Sequence, residues 1–252
     1  MANISRVAVV TGAASGIGAA TAVRLAADGN AVAVLDLPDT GYAETVEAIE
    51  SAGGRAIGLA VDVTDRDGLA AAMAQVADEL GTVSILVNNA GYSHDLPIQD
   101  MTFQQWDDMT SVHLDAAFCT SRAVQPGMAA QGFGRIVNIS STSALGTAGR
   151  VGYSAAKSGV IGFTKALALE LGPIGVTANV VAPGFIVSRM TAKTARRLGR
   201  DFDEHQEIAA NGIPVGRVGR PEDIANAVSF FAGDAAGYVS GQVLFVAGGP
   251  RG

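Results

Sequence analysis

The feature that most constrains the fold is a regular alternation of short apolar runs with segments of helical periodicity. The apolar run at 7–10 is followed by apolar residues at helical spacing across 17–27, and a second run covers 31–35. Continuous runs of Val, Ile and Leu are typical of parallel strands that are buried on both faces. The sequence therefore predicts an α/β fold with helices on both faces of a parallel sheet.

The alternation continues along the chain. Further helices are predicted at 42–52, 66–80, 103–130, 154–171 and 222–231, and further strands at 56–61, 85–87, 135–139, 176–181 and 243–246. Because crossovers between parallel strands are right-handed, this order predicts a single doubly wound Rossmann domain over 1–252. The longest interruption, at about 185–213, is interpreted as a lid over a substrate site.

Composition narrows the classes of function. Hydrophobic residues make up 48% of the chain and charged residues 16%, which suits a large core. The net charge of −7 argues against nucleic-acid binding. No apolar run is long enough to span a bilayer, and the first residues lack a signal-peptide pattern, so we expect a cytoplasmic protein with no membrane association. Cys119 is the single cysteine, so neither an intrachain disulfide nor a cysteine metal cluster is expected, and no metal is predicted.

A glycine-rich turn joins the first predicted strand to the first helix. It reads Thr11, Gly12, Ala13, Ala14, Ser15, Gly16, Ile17 and Gly18. Glycines let the backbone approach a pyrophosphate closely, and the helix that follows offers free N–H groups and a positive dipole end. The turn therefore predicts a dinucleotide site, with a ligand-free glycine turn as the alternative.

Asp36 ends the second predicted strand, at about the twenty-residue distance at which an acid bonds the cofactor ribose. A carboxylate there would repel the 2′-phosphate of NADP, so Asp36, with Leu37 beside it, favours NAD as the cofactor. The alternative is an acid at a strand end that is merely solvated.

Tyr153 and Lys157 have the spacing of neighbours on one helix face. Hydride exchange between a cofactor and a ketone needs a proton donor at the carbonyl oxygen, and a free tyrosine, with a pKa of about 10, does this poorly. A lysine one turn away would favour the phenolate. The pair predicts a proton-transfer centre, although an ordinary surface pair has the same spacing.

Three motifs in this order resemble the classical short-chain dehydrogenase/reductase family. They are the turn from Thr11 to Gly18, Asn88-Asn89-Ala90-Gly91, and Tyr153-Ser154-Ala155-Ala156-Lys157. The resemblance covers 7–249. It implies that Tyr153 is the general acid and base, and that Lys157 lowers the tyrosine pKa and holds the nicotinamide ribose.

The resemblance also implies the contacts of the cofactor. Asp62 and Val63 would frame the adenine, and Ile186 would meet the carboxamide through its backbone. Ser188 would replace the usual threonine. The residues expected at the cofactor are Gly12, Ser15, Gly16, Ile17, Gly18, Asp36, Leu37, Asp62, Val63, Asn89, Ala90, Gly91, Tyr153, Lys157, Pro183, Gly184, Ile186 and Ser188.

Two positions depart from the family pattern. The family serine that holds the substrate oxygen matches Ser141 by strand register and Ser140 by counting back from Tyr153, and strand register favours Ser141. The usual asparagine of the long middle helix is replaced by His113, which we interpret as a proton-relay residue because an imidazole can bond the same water. A helix residue that points elsewhere is the alternative for His113.

The sequence thus predicts an NAD-dependent oxidoreductase acting on a small secondary alcohol or ketone. Two alternatives stay open, an NADPH-dependent 3-oxoacyl-carrier-protein reductase and a non-catalytic NAD-binding sensor on the same fold. The pocket is expected to be largely apolar and lined by 93–96, 144–146, Phe185 and the lid. The resemblance also implies a homotetramer.

Overall fold

A computed structural model describes residues 6–250, so the ends of the predicted domain, 1–5 and 251–252, lie outside the described residues. The described chain forms one parallel sheet in the order β3-β2-β1-β4-β5-β6-β7. The strands are β1 Val7–Thr11, β2 Ala31–Asp36, β3 Ala56–Ala60, β4 Val83–Asn88, β5 Gly134–Ile139, β6 Val176–Pro183 and β7 Val243–Val246. The predicted doubly wound α/β fold is confirmed.

Helices cover both faces of this sheet. They are α1 Gly16–Ala27, α2 Tyr42–Ser51, α3 Arg66–Glu79, α4 Phe103–Thr110, α5 Ala116–Gln131, α6 Val151–Leu171, α7 Arg189–Arg197, α8 Phe202–Asn211 and α9 Pro221–Ala232. Side chains alternate along a strand, so Val10 packs into the core under α1 and α9, whereas Val9 packs into the core under α3 and α5. Burial on both faces explains why the strands read as continuous apolar runs.

Two helices differ from the prediction. The single helix expected at 103–130 is divided into α4 and α5 by a π-helical turn, Ser111–Asp115. A π turn adds one residue to the helix without removing its apolar face, so hydrophobic spacing does not reveal it. The helix α6 begins at Val151 rather than at 154, which places Tyr153 inside its first turn.

The carboxyl ends of the strands define where a ligand can bind. Between β1 and β4 the chain order reverses, and a crevice at such a switch point is the usual ligand site of an open α/β sheet. The glycine turn, the loop after β4 and the start of α6 all gather at this edge. The short helices α7 and α8 follow β6 and make up most of the segment predicted to be a lid.

Within residues 6–250, no helix is both long and apolar enough to cross a membrane. The same residues gather no cluster of three or more His, Cys, Asp or Glu side chains that could hold a metal ion. Cys119, on α5, is a partly buried free thiol.

Candidate active site

The glycine turn packs tightly against the end of β4. Gly12 has a φ of +64° and Gly16 a φ of +56°, a region that favours glycine. A Cβ added at Gly12 would lie 2.7 Å from the Cα of Ala90, and one added at Gly18 would collide with the carbonyl oxygen of Gly12. Backbone atoms therefore leave no room for a side chain at positions 12 and 18 of the turn.

Side chains from two strand ends brace this turn. The amide of Asn89 donates to the carbonyl oxygens of Thr11 and Gly12, at 2.9 and 3.0 Å. The Thr11 hydroxyl in turn accepts the backbone N–H groups of Asn89 and Ala90, at 3.0 and 3.1 Å. Asn89 thus shapes the turn. The sequence analysis assigned no role to the Thr11 side chain, although a hydroxyl directly before the first glycine was visible in the sequence.

The turn fits a dinucleotide phosphate. The helix α1 begins at Gly16, its first turn carries no acidic residue, and the hydroxyl of its N-cap Ser15 makes no capping hydrogen bond. No acidic side chain of the first turn therefore neutralises the positive end of the helix dipole, an arrangement suited to binding a pyrophosphate.

Asp36 lies beside the same turn. Its carboxylate accepts the backbone N–H groups of Ala14 and Leu37, each at 2.8 Å. These bonds hold the acid at the end of β2, where the cofactor ribose is expected.

The remaining cofactor candidates lie at the same edge of the sheet. Asp62 accepts both the backbone N–H and the hydroxyl of Thr64, and Val63 is buried. Gly184, directly after Pro183 of β6, would place an added Cβ 2.8 Å from the Cβ of Ala247.

Ser188 lies across the crevice from the glycine turn. A Cβ added at Gly16 would be 3.9 Å from the Cβ of Ser188. The Ser188 hydroxyl caps α7 by accepting the N–H of Thr191, and the Thr191 hydroxyl donates to the carbonyl oxygen of Ile186 at 2.9 Å. The carbonyl of Ile186 is thereby fixed by Thr191, which the sequence analysis did not single out.

The first two turns of α6 carry the predicted proton-transfer pair. Tyr153 and Lys157 are both buried. The Lys157 Nζ donates to the carbonyl oxygen of Ile139 at 2.8 Å and lies 5.7 Å from the centroid of the Tyr153 ring. Burial lowers the pKa of Lys157 to about 7.

The pKa of Tyr153 moves in the opposite direction to the expected one. Burial raises it above its ordinary value of 10.0, because the water that would solvate a phenolate is excluded. A hydrogen bond with Ser141 and the charge of Arg150 lower the pKa, whereas the charge of Asp95 raises it. The sequence analysis expected the charge of Lys157 to lower this pKa, but burial has the largest effect on both residues.

The two serine candidates face different surroundings. The Ser140 hydroxyl is buried and donates to the backbone carbonyl of Lys157 at 2.8 Å. The Ser141 hydroxyl accepts the N–H of Ser143 at 3.1 Å and lowers the pKa of Tyr153. Of the two, Ser141 is the one that acts on the tyrosine.

His113 lies in the π turn, buried against the edge of the site. Its Nε2 is 2.9 Å from the carbonyl oxygen of Tyr92, which can only accept, so Nε2 carries the proton and donates. Its ring centroid is 5.4 Å from that of Tyr153. A Cβ added at Gly91 would fall within the His113 ring, so glycine at 91 makes room for the imidazole.

The second nitrogen of His113, the buried Nδ1, has no hydrogen-bond partner within residues 6–250, and the residue lines a small cavity of mixed polar and apolar walls. Burial, followed by the charge of Lys157, holds the pKa of His113 well below 6.5, so the ring is neutral and Nδ1 is an acceptor. The cavity has a volume of about 10 Å³ and is also lined by Thr11, Asn88, Asn138 and Lys157. A cavity of that size with polar groups in its walls suits one water molecule.

A wider groove of about 630 Å³ opens beside the start of α6. It is lined by Leu96, Ile98, residues 144–149, Val151, Ser154, Ala155 and Ser158. The expected lining at Leu96 and 144–146 lies in this groove. Phe185 instead packs edge-on against His205 of α8, with the ring centroids 5.3 Å apart.

Comparison with known proteins agrees with this arrangement. The family described as enoyl-(acyl carrier protein) reductase matches residues 12–250. The short-chain reductase protein NovJ of Streptomyces niveus is 46% identical, over 96% of this chain and 93% of its own. The 3-oxoacyl-(acyl-carrier-protein) reductase FabG of Vibrio cholerae is 40% identical, over 97% and 96%.

A solved structure extends the comparison to the fold. The protein assigned as an NAD(P)-dependent gluconate 5-dehydrogenase from Beutenbergia cavernae, with NADP bound at low occupancy, is 40% identical. It superposes with a TM-score of 0.89, over 98% of this chain and 97% of its own. With the glycine turn, the parallel sheet and the Tyr153–Lys157 pair in place, the chain belongs to the short-chain dehydrogenase/reductase family of oxidoreductases, which bind a nicotinamide cofactor.

Proposed function

We propose that this chain catalyses the reversible NAD-dependent oxidation of a secondary alcohol to a ketone, with Tyr153 as the general acid and base. The observation that supports this most directly is the arrangement of three side chains at the ends of β5 and α6. Ser141 acts on the pKa of Tyr153, and the buried amine of Lys157 lies one helical turn further along.

Each residue has a distinct part in the proposed reaction. Ser141 holds the substrate oxygen next to the Tyr153 hydroxyl, and Tyr153 takes the alcohol proton during oxidation or donates it during reduction. Lys157 places an amine near the tyrosine, charged below its pKa of about 7, and would hold the nicotinamide ribose. The nicotinamide, when bound, supplies the hydride acceptor or donor.

His113 is proposed to complete a path for the proton. Its neutral Nδ1 can accept a hydrogen bond from a water molecule in the cavity that it shares with Lys157. Because the Tyr92 carbonyl fixes the other ring nitrogen as a donor, the ring holds one orientation and one tautomer. An imidazole held in this way can serve where the family commonly uses an asparagine.

NAD is the proposed cofactor. The Asp36 carboxylate is held beside the glycine turn and would repel a 2′-phosphate, and the turn contains Ser15 where a basic residue would attract one. The Beutenbergia cavernae relative binds NADP, so an NADPH-dependent 3-oxoacyl-carrier-protein reductase is the second candidate. A non-catalytic NAD-binding sensor is the third, motivated by the departure at His113.

The other expectations accompany this proposal. The groove lined by Leu96, Ile98 and Leu145 favours a small, largely apolar substrate. The segment 185–213 is proposed to be a lid that moves with substrate binding. We further propose a homotetramer, as the family resemblance implies, and a cytoplasmic location, as the single cysteine and the sequence pattern favour.

The test is the absorbance at 340 nm with NAD or NADP and a panel of secondary alcohols that includes ethyl 3-hydroxybutyrate and 1-phenylethanol. Tyr153→Phe should lower turnover by about 10²- to 10⁴-fold while NADH binding is unchanged. Tyr238→Phe, at a fully exposed tyrosine, is the matched control. Retained turnover in Tyr153→Phe would defeat the mechanism, preference for NADP would favour the second candidate, and NAD binding with no turnover by the unmodified protein would favour the sensor.

A further inference from the structure

Asp95, in the loop after β4, joins three segments around the candidate site through one carboxylate. Arg150 binds both oxygens, with Nε 2.8 Å from Oδ1 and Nη2 2.9 Å from Oδ2. Arg197 donates to Oδ2 at 2.8 Å, and the Ser93 hydroxyl donates to Oδ1 at 2.6 Å. The Asp95 side chain is only 11% exposed. Burial opposes its charge, but the bonds from Ser93 and Arg150 outweigh burial and hold the pKa of Asp95 below its ordinary value.

The partners of Asp95 belong to parts of the site that have different tasks. Arg150 is the N-cap residue of α6 and directly precedes the first turn, which contains Tyr153. Its backbone also forms a β-bridge with Leu96. Arg197 is the last residue of α7, in the lid segment. Because both guanidinium groups meet at one carboxylate, neither the start of α6 nor α7 can shift without breaking an ion pair.

We propose that Asp95 is a positioning residue, which pairs with Arg150 at the start of the catalytic helix α6 and ties the lid helix α7 to it. The part that concerns Tyr153 rests on the proposed function. Of the two ion pairs of Asp95, the arms of this link, the bidentate pair with Arg150 is the stronger, since it is partly shielded from solvent and has two parallel bonds. The arm from Arg197, half exposed, is the weaker and more easily opened one.

The charges around Tyr153 give this proposal a distinct signature. His113 and Lys157 pack near the Tyr153 ring, and Ser141 together with the charges of Arg150 and Asp95 acts on its pKa. Removing Arg150 leaves the negative charge of Asp95 uncompensated, which disfavours the phenolate. Removing the charge of Asp95 leaves Arg150 uncompensated, which favours the phenolate. A purely structural pair would not produce shifts of opposite sign.

The experiment compares Asp95→Asn, Arg150→Gln and Arg197→Gln with Asp28→Asn, which breaks the Arg24–Asp28 pair on α1 as a matched loss of one acid. The rate of ethyl 3-hydroxybutyrate oxidation with NAD is measured against pH, and hydrogen exchange of the α7 amides is measured by mass spectrometry. Oxidation needs the deprotonated tyrosine, so the rate rises with pH through the pKa of Tyr153.

In Arg150→Gln this rise should move to higher pH by about one unit, and in Asp95→Asn to lower pH. Arg197→Gln should leave the rise in place and increase KM several-fold. Exchange of α7 should be faster in Asp95→Asn and Arg197→Gln but not in Asp28→Asn.

Shifts of the same sign in Asp95→Asn and Arg150→Gln, or α7 exchange equal to that of Asp28→Asn, would overturn the proposal. The exchange measurement needs no substrate and decides the tie to the lid by itself. If Asp95→Asn does not fold, the two arginine variants each still remove one arm. Retained turnover in Tyr153→Phe defeats the proposed function, whereas an inactive Tyr153→Phe with unmoved pH profiles defeats only this inference.

Discussion

The two halves of the candidate site, on either side of β4, hold their functional groups by different means. On the side of β1 and β2, the turn 12–18 and Asp36 are fixed by backbone geometry and by hydrogen bonds to backbone N–H groups. On the side of β5 and α6, three titratable side chains are almost completely buried, His113, Tyr153 and Lys157. The geometry of the first half is set by steric exclusion between backbone atoms. The chemistry of the second half is set by the effect of burial on the pKa values of its side chains.

This difference determines how each half should respond to change. Steric exclusion acts at any pH, so substitutions in the glycine turn should weaken cofactor binding without altering its pH dependence. A buried ionisable group moves toward its neutral form, so substitutions around α6 should change pH profiles as well as rates.

Gly18→Ala should weaken NADH binding the most. The added Cβ collides with the Gly12 carbonyl oxygen, so the backbone of the turn must shift at the point where the pyrophosphate is expected. A displacement that costs about 3 kcal/mol corresponds to roughly a hundredfold loss of affinity. Gly162→Ala on α6, where a Cβ meets no atom within 4 Å, is the matched control. Fluorescence titration with NADH checks both variants. Equal affinity in the two would contradict the proposal that the glycine turn binds the pyrophosphate.

His113→Phe should lower kcat by about tenfold to a hundredfold while leaving KM nearly unchanged. Phenylalanine keeps the ring that packs on Gly91 but removes both nitrogens, and leaving a buried hydrogen-bond partner unsatisfied costs about 1–3 kcal/mol. His113→Asn restores an acceptor and a donor and should retain more of the turnover. Steady-state kinetics at several pH values compare the variants. Retained turnover in His113→Phe, with a fall in His113→Asn, would mean that the ring matters for packing and not for the proton path.

The fold could be predicted from the sequence because its determinants are local. Buried parallel strands show as apolar runs, and the positions that require glycine, such as Gly12 and Gly18, show as glycine. The π turn at His113 could not be predicted, since one inserted residue leaves the helical pattern nearly intact.

The electrostatics of the catalytic half were the less predictable part. The spacing of Tyr153 and Lys157 was recognisable, but the effect of burial on their pKa values depends on packing by distant elements. The cluster at Asp95 was missed for a related reason, because Arg150 and Arg197 are 55 and 102 residues away in the sequence. Contacts across such separations carry no local pattern.

Asp36→Asn should shift cofactor preference by about tenfold toward NADP. The substitution keeps the shape of the side chain and removes the charge that would repel a 2′-phosphate, a change of about 1.4 kcal/mol. Asp39→Asn removes an equal charge three residues further on and should leave the preference closer to that of the unmodified protein. The measurement is the ratio of kcat/KM for NAD and NADP. If the two variants change this ratio equally, general charge and not the position of Asp36 decides the preference.

The remaining prediction concerns stability and lies in the catalytic half. Burial lowers the pKa of Lys157 from 10.5 to about 7. Below about pH 7 the lysine is protonated in both the folded and the unfolded chain and adds no pH dependence. Between about pH 7 and 10.5 only the unfolded chain binds this proton, so the free energy of unfolding should rise with pH, by up to about 1.4 kcal/mol per unit.

Lys157→Met removes this titration while keeping a long side chain, so its unfolding free energy should rise less between pH 7 and 9 than that of the unmodified protein. Lys165→Met, on the exposed face of the same helix, should follow the unmodified protein. Urea unfolding at a series of pH values measures the difference. Parallel curves for Lys157→Met and the unmodified protein would mean that the ammonium remains charged in the folded state, held by the Ile139 carbonyl and its surroundings. The catalytic half would then be governed by hydrogen bonding, as the glycine turn is, and the contrast between the two halves would disappear.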